Sequence, residues 1–327
     1  MKKRLLYHLR LLISQSSILV GGQAVMEGVM MRVPGAYATA VRDPQGNIQI
    51  DRHEFKSIIE IYPFFKKPLF RGILGLFESL KIGYSTLQWS AEISLSEEEN
   101  NKEPSKLVDI LLTLFSFGLA LGLFFVAPIG LTSWLFDKDQ DAFLFNLISG
   151  LFRVIFFLTY LILISLMKDV RRLFQYHGAE HKTVYNFESG KKLEIANAQQ
   201  FPTQHPRCGT SFLFIIMIVA ILSFAILDSV VLFYVDELKI WMRLILHIPF
   251  IPVVAGLGYE VLKLTAKHRG NIFFRALAQP GLWLQNITTK QPDDEQVEVA
   301  LKALKEAFGD KLSQYSKGET YVAEAIG

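Results

Sequence analysis

The sequence predicts an α-helical polytopic membrane protein, with about four transmembrane helices in two hairpins and a small cytoplasmic α+β part. Three observations support this fold class: an apolar composition, four long apolar stretches, and an uneven distribution of Lys and Arg around them. Of the 327 residues, 51% are hydrophobic and 20% are charged, whereas soluble domains average about 25% charged residues. The net charge of +3 is too small for a dedicated nucleic-acid binder, so we expect the lipid bilayer as a partner and no nucleic acid.

The four apolar stretches are long enough to cross a membrane. A helix needs about 20 predominantly apolar residues for this, because its backbone groups must be satisfied within the segment. The stretches that reach this length are 107–136, 143–167, 210 to about 235 and 240 to about 266. The connections 137–141 and 236–239 are too short to hold a domain, so the four helices form two hairpins.

The basic residues predict the orientation of these spans. Outside them, 29 Lys and Arg residues lie in segments 1–106, 168–209 and 267–327, against two in the short turns. Basic residues accumulate on the cytoplasmic side of membrane proteins. We therefore expect both termini and the central loop in the cytoplasm, a reducing compartment that suits the single Cys208.

The spans divide the chain into five parts. These are a β-rich N-terminal region with an amphipathic interfacial helix (1–106), a first transmembrane hairpin (107–167), a cytoplasmic loop (168–209), a second transmembrane hairpin (210–266) and a cytoplasmic helical tail (267–327). Turn signals at Pro34-Gly35 and at 43–47 predict a hairpin or meander within 18–62. The apolar spacing in 68–95 predicts an amphipathic helix that lies along the inner membrane surface or packs under the bundle.

The two ends of the chain carry further signals. Arg10 interrupts the apolar run of segment 1–22, which favours a membrane-surface helix over a cleaved signal peptide. Near the other end, Pro280-Gly281 predicts a break, and the acids at 293–295 predict the start of a helix. We expect one face of that helix to dock on the cytoplasmic domain, through Val297, Ala300, Leu301, Leu304 and Phe308.

The central loop carries the main chemical signal. His177, Glu180 and His181 stand at i, i+3 and i+4, so on a helix they share one face. Two imidazoles one turn apart can bind one ion, and a carboxylate beside them can act as general base on water that the metal activates. This reversed zincin pattern, H-x-x-E-H, predicts a divalent metal, zinc first, with Glu180 as the catalytic base. The alternative is a structural cluster of hydrogen-bonded histidines.

A catalytic zinc usually takes three protein ligands, so the pattern needs a third. His205 lies just before the third span and Glu260 lies near the cytoplasmic end of the fourth, and we expect one of them to complete the set. Cys208 ranks below both, because a thiolate beside two histidines is less usual for hydrolysis. In the plainer alternatives, His205 and Cys208 shape the turn that leads into the third span, and Glu260 forms an ion pair with Lys263 or Lys267.

Arg153 lies well inside the second span. A charge at that depth is costly and normally faces the interior of the bundle. We expect it to pair with Asp228 in a structural role. A conduction path is the weaker alternative, because no paired inverted repeat accompanies it.

Several short motifs, in order along the chain, resemble those of a known family. They are Gly21-Gly-Gln-Ala-Val-Met-Glu27-Gly-Val-Met-Met-Arg32, Tyr176-His-Gly-Ala-Glu-His-Lys-Thr183, His205-Pro-Arg-Cys-Gly-Thr-Ser-Phe212, and Pro280-Gly-Leu-Trp-Leu-Gln285 with Thr288-Thr-Lys290. The chain resembles the YqhQ-like bacterial membrane proteins, a family of unknown function described as predicted metal-dependent enzymes, over residues 18 to about 305. The resemblance implies a multi-span protein of the bacterial inner membrane and supplies no substrate.

The resemblance also adds candidates to the site. Glu27 and Arg32 belong to the first motif, which implies that Glu27 is a ligand or a carboxylate that orients one of the histidines. The residues alone predict a salt bridge between the two within the β region. Arg207, in the third motif, is a further candidate.

Two functions of different classes follow. The first is an inner-membrane metal-dependent enzyme, a hydrolase that acts on a membrane-associated substrate at the cytoplasmic interface, for which a membrane-bound peptide and a lipid-like ester both fit. The second is a non-catalytic membrane scaffold or assembly factor, in which the His/Glu cluster is structural. A transporter is a distant third, because it requires Arg153 to line an aqueous cavity.

Overall fold

Short strands separated by tight turns form an antiparallel sheet near the start of the chain. The computed structural model describes residues 17–18, 20–95, 106–136, 142–206, 208–267, 271–315 and 322–323. Its strands are β1 (Ser17–Ile18), β2 (Gly21–Val25), β3 (Gly28–Val33), β4 (Ala36–Arg42), β5 (Ile48–Glu54) and β6 (Val322–Ala323). Strands β2 to β5 neighbour one another in chain order with antiparallel pairing, which confirms the predicted meander.

Two of the three turns of this sheet lie where the sequence predicts them, and the turn at Met26-Glu27 between β2 and β3 was not predicted. Gly35 and Gly46 lie in the two predicted turns at φ 86° and 89°, a conformation in which glycine meets no steric penalty. The helix expected over 1–22 is not seen in its described part, because residues 17–18 pair with β6 and residues 21–22 begin β2. Residues 1–16 lie outside the described part of the chain.

Helices make up most of the remaining described chain. They are α1 (Ile58–Ile61), α2 (Phe70–Ser94), α3 (Lys106–Leu121), α4 (Ala127–Leu135), α5 (Ala142–Ser165), α6 (Lys168–Glu188), α7 (Ile195–Ala198), α8 (Gly209–Val231), α9 (Ile240–Lys267), α10 (Ile272–Thr288), α11 (Asp294–Phe308) and α12 (Leu312–Tyr315). A π-helix, Gly122–Val126, joins α3 to α4 without a break.

Four helical segments in the described residues are long and apolar enough to cross a membrane. They are Ile110–Leu135, Phe143–Ser165, Phe212–Val231 and Ile240–Thr265. The four predicted spans are therefore confirmed as helices, with ends that shift by a few residues. Their sidedness and their membrane stay predictions.

The charges inside these helices pair differently from the prediction. Asp228 accepts hydrogen bonds from Asn146 (2.8 Å), from His247 (2.8 Å) and from Arg243. Arg243 and His247 stand one turn apart on α9, so both reach the same carboxylate. We call Asn146, Asp228, Arg243 and His247 the span cluster, and all four are buried.

Arg153, expected to pair with Asp228, contacts the π-helix instead. Its Nε donates to the carbonyl of Phe124 at 3.1 Å, and its guanidinium lies over the rings of Phe125 and Phe224 at 5.2 and 5.7 Å. A π-turn departs from the regular α-helical hydrogen-bond ladder, which explains how a side chain reaches this carbonyl. Asp228 forms its direct ion pairs with Arg243 and His247 and acts on Arg153 only as a nearby charge, so the predicted direct Arg153–Asp228 pair is not formed.

The break predicted at Pro280-Gly281 is also wrong, because α10 continues through both residues. A proline inside a helix removes one hydrogen bond and costs about 3 kcal/mol. Helix α10 packs along α8 and buries Leu284 and Gln285 there. This packing outweighs the local preference of the proline, as tertiary contacts often do.

Helix α2 confirms the helix predicted over 68–95, with an unusual division of its faces. Apart from Ile82, its buried face is small or polar: Gly72, Gly75, Glu78, Gly83, Thr86 and Ser90. Phe77, Leu80 and Tyr84 on the other face are exposed by 64%, 63% and 73%. A helix of a soluble protein buries its large apolar side chains and exposes its polar ones, so α2 has the reverse arrangement.

Helix α11 docks as the sequence predicts. Asp293 caps its first turn in a capping box with Gln296, which satisfies two of the free N–H groups there. The five apolar residues of its predicted face are all buried, in a core shared with β3, β4 and α6.

Candidate metal centre

Helix α6 places the two motif histidines on its buried face. The helix packs against β2 and α11, and the rings of His177 and His181 lie with their centroids 4.5 Å apart. The shared face predicted from their i, i+4 spacing is therefore present.

Backbone carbonyls orient both imidazoles in the same way. The Nδ1 of His177 donates to the carbonyl of Thr288 at 2.8 Å, and the Nδ1 of His181 donates to the carbonyl of Thr203. A carbonyl oxygen can only accept, so each hydrogen bond assigns the proton to Nδ1 and leaves the lone pair on Nε2. A hydrogen bond of this kind typically orients a metal-ligating histidine.

Cys208 supplies the third side chain at this point. It is the N-cap of α8, where its sulfur accepts from the Thr210 N–H at 3.4 Å. Its Sγ lies 3.1 Å from the Nε2 of His177. His177, His181 and Cys208 each offer one ligand atom, and these atoms lie within 4.8 Å of one another. We call these three residues the His–Cys group.

One nitrogen of the group is left without a hydrogen bond. The Nε2 of His181 is buried and has no hydrogen-bond partner among the described residues. Burial lowers the pKa of His181, and the neighbouring Cys208 partly offsets this effect. Burial also lowers the pKa of His177, against the opposing influence of Glu180. Both imidazoles are therefore biased toward the neutral form, which is the form that binds a metal.

Glu180 lies beside the group, on the same buried face. Its carboxylate is 3.4 Å from the Nε2 of His181. Burial raises the pKa of this carboxyl, while His177, His205 and the backbone N–H of Gly22 lower it. Gly22 also makes room for it, because a Cβ at that position would lie 2.8 Å from the Cγ of Glu180.

The glycine inside the HGAEH motif has a steric role. A Cβ on Gly178 would lie 2.1 Å from the carbonyl oxygen of Lys290. The Lys290 N–H in turn donates to the carbonyl of Phe174 at 2.8 Å. Gly178 thus lets segment 288–290 approach α6 closely enough for Thr288 to reach His177.

The two favoured third ligands make other contacts, although the ring of His205 lies close to that of His181, with 5.5 Å between centroids. The Nε2 of His205 lies 3.6 Å from Glu188, and its backbone N–H and carbonyl pair with the side chain of Gln285 at 2.7 and 2.9 Å. Glu260 accepts from the Nε of Arg71 at 2.7 Å and from the N–H of Leu69 at 3.3 Å. Neither belongs to the His–Cys group, and Cys208, which the sequence ranks lower, does.

The candidates Glu27 and Arg32, taken from the resemblance, make contacts outside the His–Cys group. The carboxylate of Glu27 pairs with Arg172 (2.6 Å from Nη2) and accepts from the hydroxyl of Tyr176 at 3.2 Å. It therefore joins the β2–β3 turn to α6 and contacts the residue before His177. Arg32 is buried 4.5 Å over the ring of Phe55, so the expected Glu27–Arg32 bridge is replaced by two separate contacts.

Arg207 lies outside the described residues. The sequence reasoning also missed the residues that orient the histidines, because Thr203 and Thr288 act through backbone carbonyls. The motif Thr288-Thr-Lys290 was the available signal, although nothing in its side chains indicates a carbonyl contact.

A cavity of about 540 Å³ lies next to the His–Cys group. One part of its wall carries His177, Glu180, His181, His205 and Cys208. The remainder is mostly small or apolar and comes from β2, α2, α6, α8 and α9. The group therefore faces a space that can hold a small molecule.

The described residues define a helical protein with four span-length helices and a largely buried His–Cys group beside a cavity. Residues 67–310 match the family described as "Protein of unknown function (DUF1385)", and the chain belongs to that family. It is 35% identical over 306 residues to "Uncharacterized protein YqhQ" of Bacillus subtilis (strain 168), across 88% of this chain and 91% of the relative. No solved structure matches it. The YqhQ-like resemblance is confirmed, whereas metal dependence stays a prediction, because neither description assigns one.

Proposed function

We propose that this protein is a metal-dependent hydrolase of the inner membrane, with its site at the cytoplasmic interface. The observation that carries the proposal is the convergence of two imidazole lone pairs on one thiol at the wall of a cavity. The Nδ1 atoms of both histidines are occupied by carbonyls, and the buried Nε2 of His181 has no hydrogen bond among the described residues.

The chemistry of the donor set fits a zinc-type ion. Zinc prefers nitrogen and sulfur donors at about 2.0–2.3 Å, so donor atoms around a tetrahedral ion stand roughly 3.5 Å apart. The 3.1 Å separation of His177 Nε2 from Cys208 Sγ is close to that value, and all three atoms lie within 4.8 Å of one another. Three protein ligands leave one position of a tetrahedral ion open, which is typical of catalytic sites.

A bound zinc-type ion would supply Lewis acidity and make water a better nucleophile near neutral pH. Glu180 is the residue placed to move the proton. Its carboxylate lies 3.4 Å from the Nε2 of His181, beside the position an ion would take. It takes a proton from the attacking water and returns it to the departing group, so hydrolysis adds one water across the bond that breaks.

Metal substitution with cobalt tests the proposal without a known substrate. We expect the purified protein to bind about one Co²⁺ per chain and to show a thiolate-to-metal absorption band that Cys208→Ser removes. A small hydroxamate should perturb the visible spectrum by occupying the open position. The conservative Glu180→Gln variant should keep the cobalt band.

Two outcomes would overturn the proposal. A protein without bound metal, in which His177→Ala and His181→Ala change only stability, supports the scaffold alternative. Bound cobalt whose spectrum ignores the hydroxamate indicates a closed, structural site.

A further inference from the structure

The lining of the cavity beside the His–Cys group is chemically of two kinds. Its polar part is formed by the three ligand candidates with Glu180 and His205 on α6 and before α8. Apolar side chains of α6 lie beside them, and the lining from α2, α8 and α9, which we call the apolar end, carries Leu76, Leu80, Phe212, Leu213, Tyr259 and Leu262. A ligand that fills this space therefore needs a polar part at one end and an apolar part at the other.

The apolar end lies at the level of the span-length helices. Phe212 and Leu213 begin the span-length segment of α8, and Tyr259 and Leu262 lie near the end of that of α9. In a bilayer, these helix ends stand where the hydrocarbon meets the headgroups. The apolar half of the cavity is thus continuous with the region that lipid chains occupy.

Helix α2 forms the side wall of this half. It packs on α9 through its own glycine, because a Cβ on Gly72 would lie 2.7 Å from the Cβ of Tyr259. Its exposed side is amphipathic, with the large apolar side chains of Phe77 and Tyr84 beside exposed polar residues such as Lys81. A helix with such a face lies in the interfacial plane of a membrane with its apolar side toward the lipid.

Two side chains belong to both the cavity and the outer surface. Leu80 on α2 is 63% exposed and Leu213 on α8 is 47% exposed, and both line the cavity. Ser79, also exposed, lies next to Leu80 on the lining. The wall of the cavity therefore reaches the lipid-facing surface between α2 and α8.

We propose that the cavity receives the apolar chain of a membrane lipid, which enters sideways from the bilayer past Leu80 and Leu213. The polar linkage of that lipid then lies against the His–Cys group. Its cleavage there rests on the proposed hydrolase function, whereas the entry of the chain does not. A peptide is the less favoured occupant, because its backbone amides would need hydrogen-bond partners that the apolar end does not provide.

Cys208 is the only cysteine of the chain and reports on access to the cavity. The full-length protein is reconstituted in vesicles of phosphatidylethanolamine and phosphatidylglycerol and treated with EDTA, so that no metal covers the thiol. It is then exposed to N-hexadecyl maleimide, which partitions into the bilayer, or to a sulfonated maleimide, which stays in water. We expect the hexadecyl reagent to modify Cys208 at least tenfold faster.

The variant Ser79→Trp places a large ring at the proposed entrance. It should slow the hexadecyl reaction about tenfold. The control is Ser85→Trp on the same helix, which is exposed but does not line the cavity, and it should react as the unchanged protein does. Thermal unfolding of the two variants shows whether either substitution disturbs the fold.

A faster reaction with the sulfonated reagent, or equal hexadecyl rates in the two variants, overturns the proposal. If Ser79→Trp unfolds the protein, a second experiment is done on the unchanged protein, with a phosphatidylglycerol that carries a photoreactive diazirine in its acyl chain. Crosslinks to Leu76 or Leu262 then support entry, and crosslinks confined to outward residues such as Phe77 refute it. Neither measurement requires metal. If lipid enters the cavity but the protein binds no cobalt, only the hydrolase proposal is refuted. If the protein binds cobalt but lipid does not enter, only the lipid-entry proposal is refuted.

Discussion

Two of the buried polar clusters in the described part of the chain differ in what is left unpaired. In the span cluster, Asp228 accepts from Asn146, Arg243 and His247, so the carboxylate is surrounded by donors. In the His–Cys group, the histidines donate outward to backbone carbonyls, and their remaining nitrogens face a thiol.

An imidazole nitrogen without a hydrogen bond does not by itself distinguish the His–Cys group from the span cluster. The Nδ1 of His247 and the Nε2 of His181 are both buried without a hydrogen-bond partner in the described part of the chain. The ring of His247 stacks on Phe224 at 4.1 Å, whereas His181 belongs to a set of three converging ligand atoms. Convergence of lone pairs, rather than a single free one, is what indicates a metal site.

The largest expected effect tests this difference directly. The double substitution of His177 and His181 by Ala should reduce bound zinc from about one ion per chain to none, because two of three ligands are lost. His247→Ala should leave the zinc content unchanged. Metal analysis of the detergent-purified proteins measures both, and loss of zinc in His247→Ala would contradict the distinction between the clusters.

The next effect concerns stability. Asp228→Ala should lower the free energy of unfolding by about 3 kcal/mol, because it leaves Arg243 buried without its counter-charge. Cys208→Ala should cost less than Asp228→Ala, since it leaves no charge unpaired. Unfolding in detergent, followed by circular dichroism, compares the two, and equal losses would show that the span cluster is not held by Asp228.

A smaller effect is expected from the backbone that orients His177. Gly178→Ala forces segment 288–290 away from α6, so zinc affinity should fall about 10–100-fold, as for other partners of metal ligands. Gly209→Ala is the matched control, because a Cβ there meets nothing within 4 Å. Competition with a chromogenic chelator gives both affinities, and an unchanged affinity in Gly178→Ala would remove the role given to Thr288.

The smallest effect is expected from Glu27, in the turn between β2 and β3. Glu27→Gln breaks a partly exposed ion pair with Arg172, which is worth at most about 1 kcal/mol. It should leave zinc binding intact, as titration of the purified variant would show. Loss of zinc in this variant would instead make Glu27 part of the metal site, as the resemblance implies.

The features that the sequence predicted correctly depend on local patterns. The spans follow from runs of apolar residues, and the pairing of His177 with His181 follows from helical spacing. The continuous α10 and the contacts of Arg153 were mispredicted, because each depends on a partner distant in the chain. Packing on α8 overrides Pro280, and the π-helix carbonyl of Phe124 replaces Asp228.

The choice among third ligands shows the same limit. His205 and Cys208 lie three residues apart just before α8, and both side chains face α6, His205 at Tyr185 and Glu188 and Cys208 at His177. The sequence has no means to decide which of the two offers a ligand atom beside both histidines. The structure holds the His205 backbone on Gln285, and Cys208 takes the N-cap position from which its sulfur reaches His177.

The sequence by itself determined the four span-length helices, the meander and the shared face of His177 and His181, because hydropathy and periodicity are properties of neighbouring residues. Only the tertiary structure decided that Cys208 joins them, that Thr203 and Thr288 orient their rings, and that the reversed face of α2 borders the cavity. These features arise where distant segments meet, and their geometry is set by packing and by the need to satisfy buried polar groups.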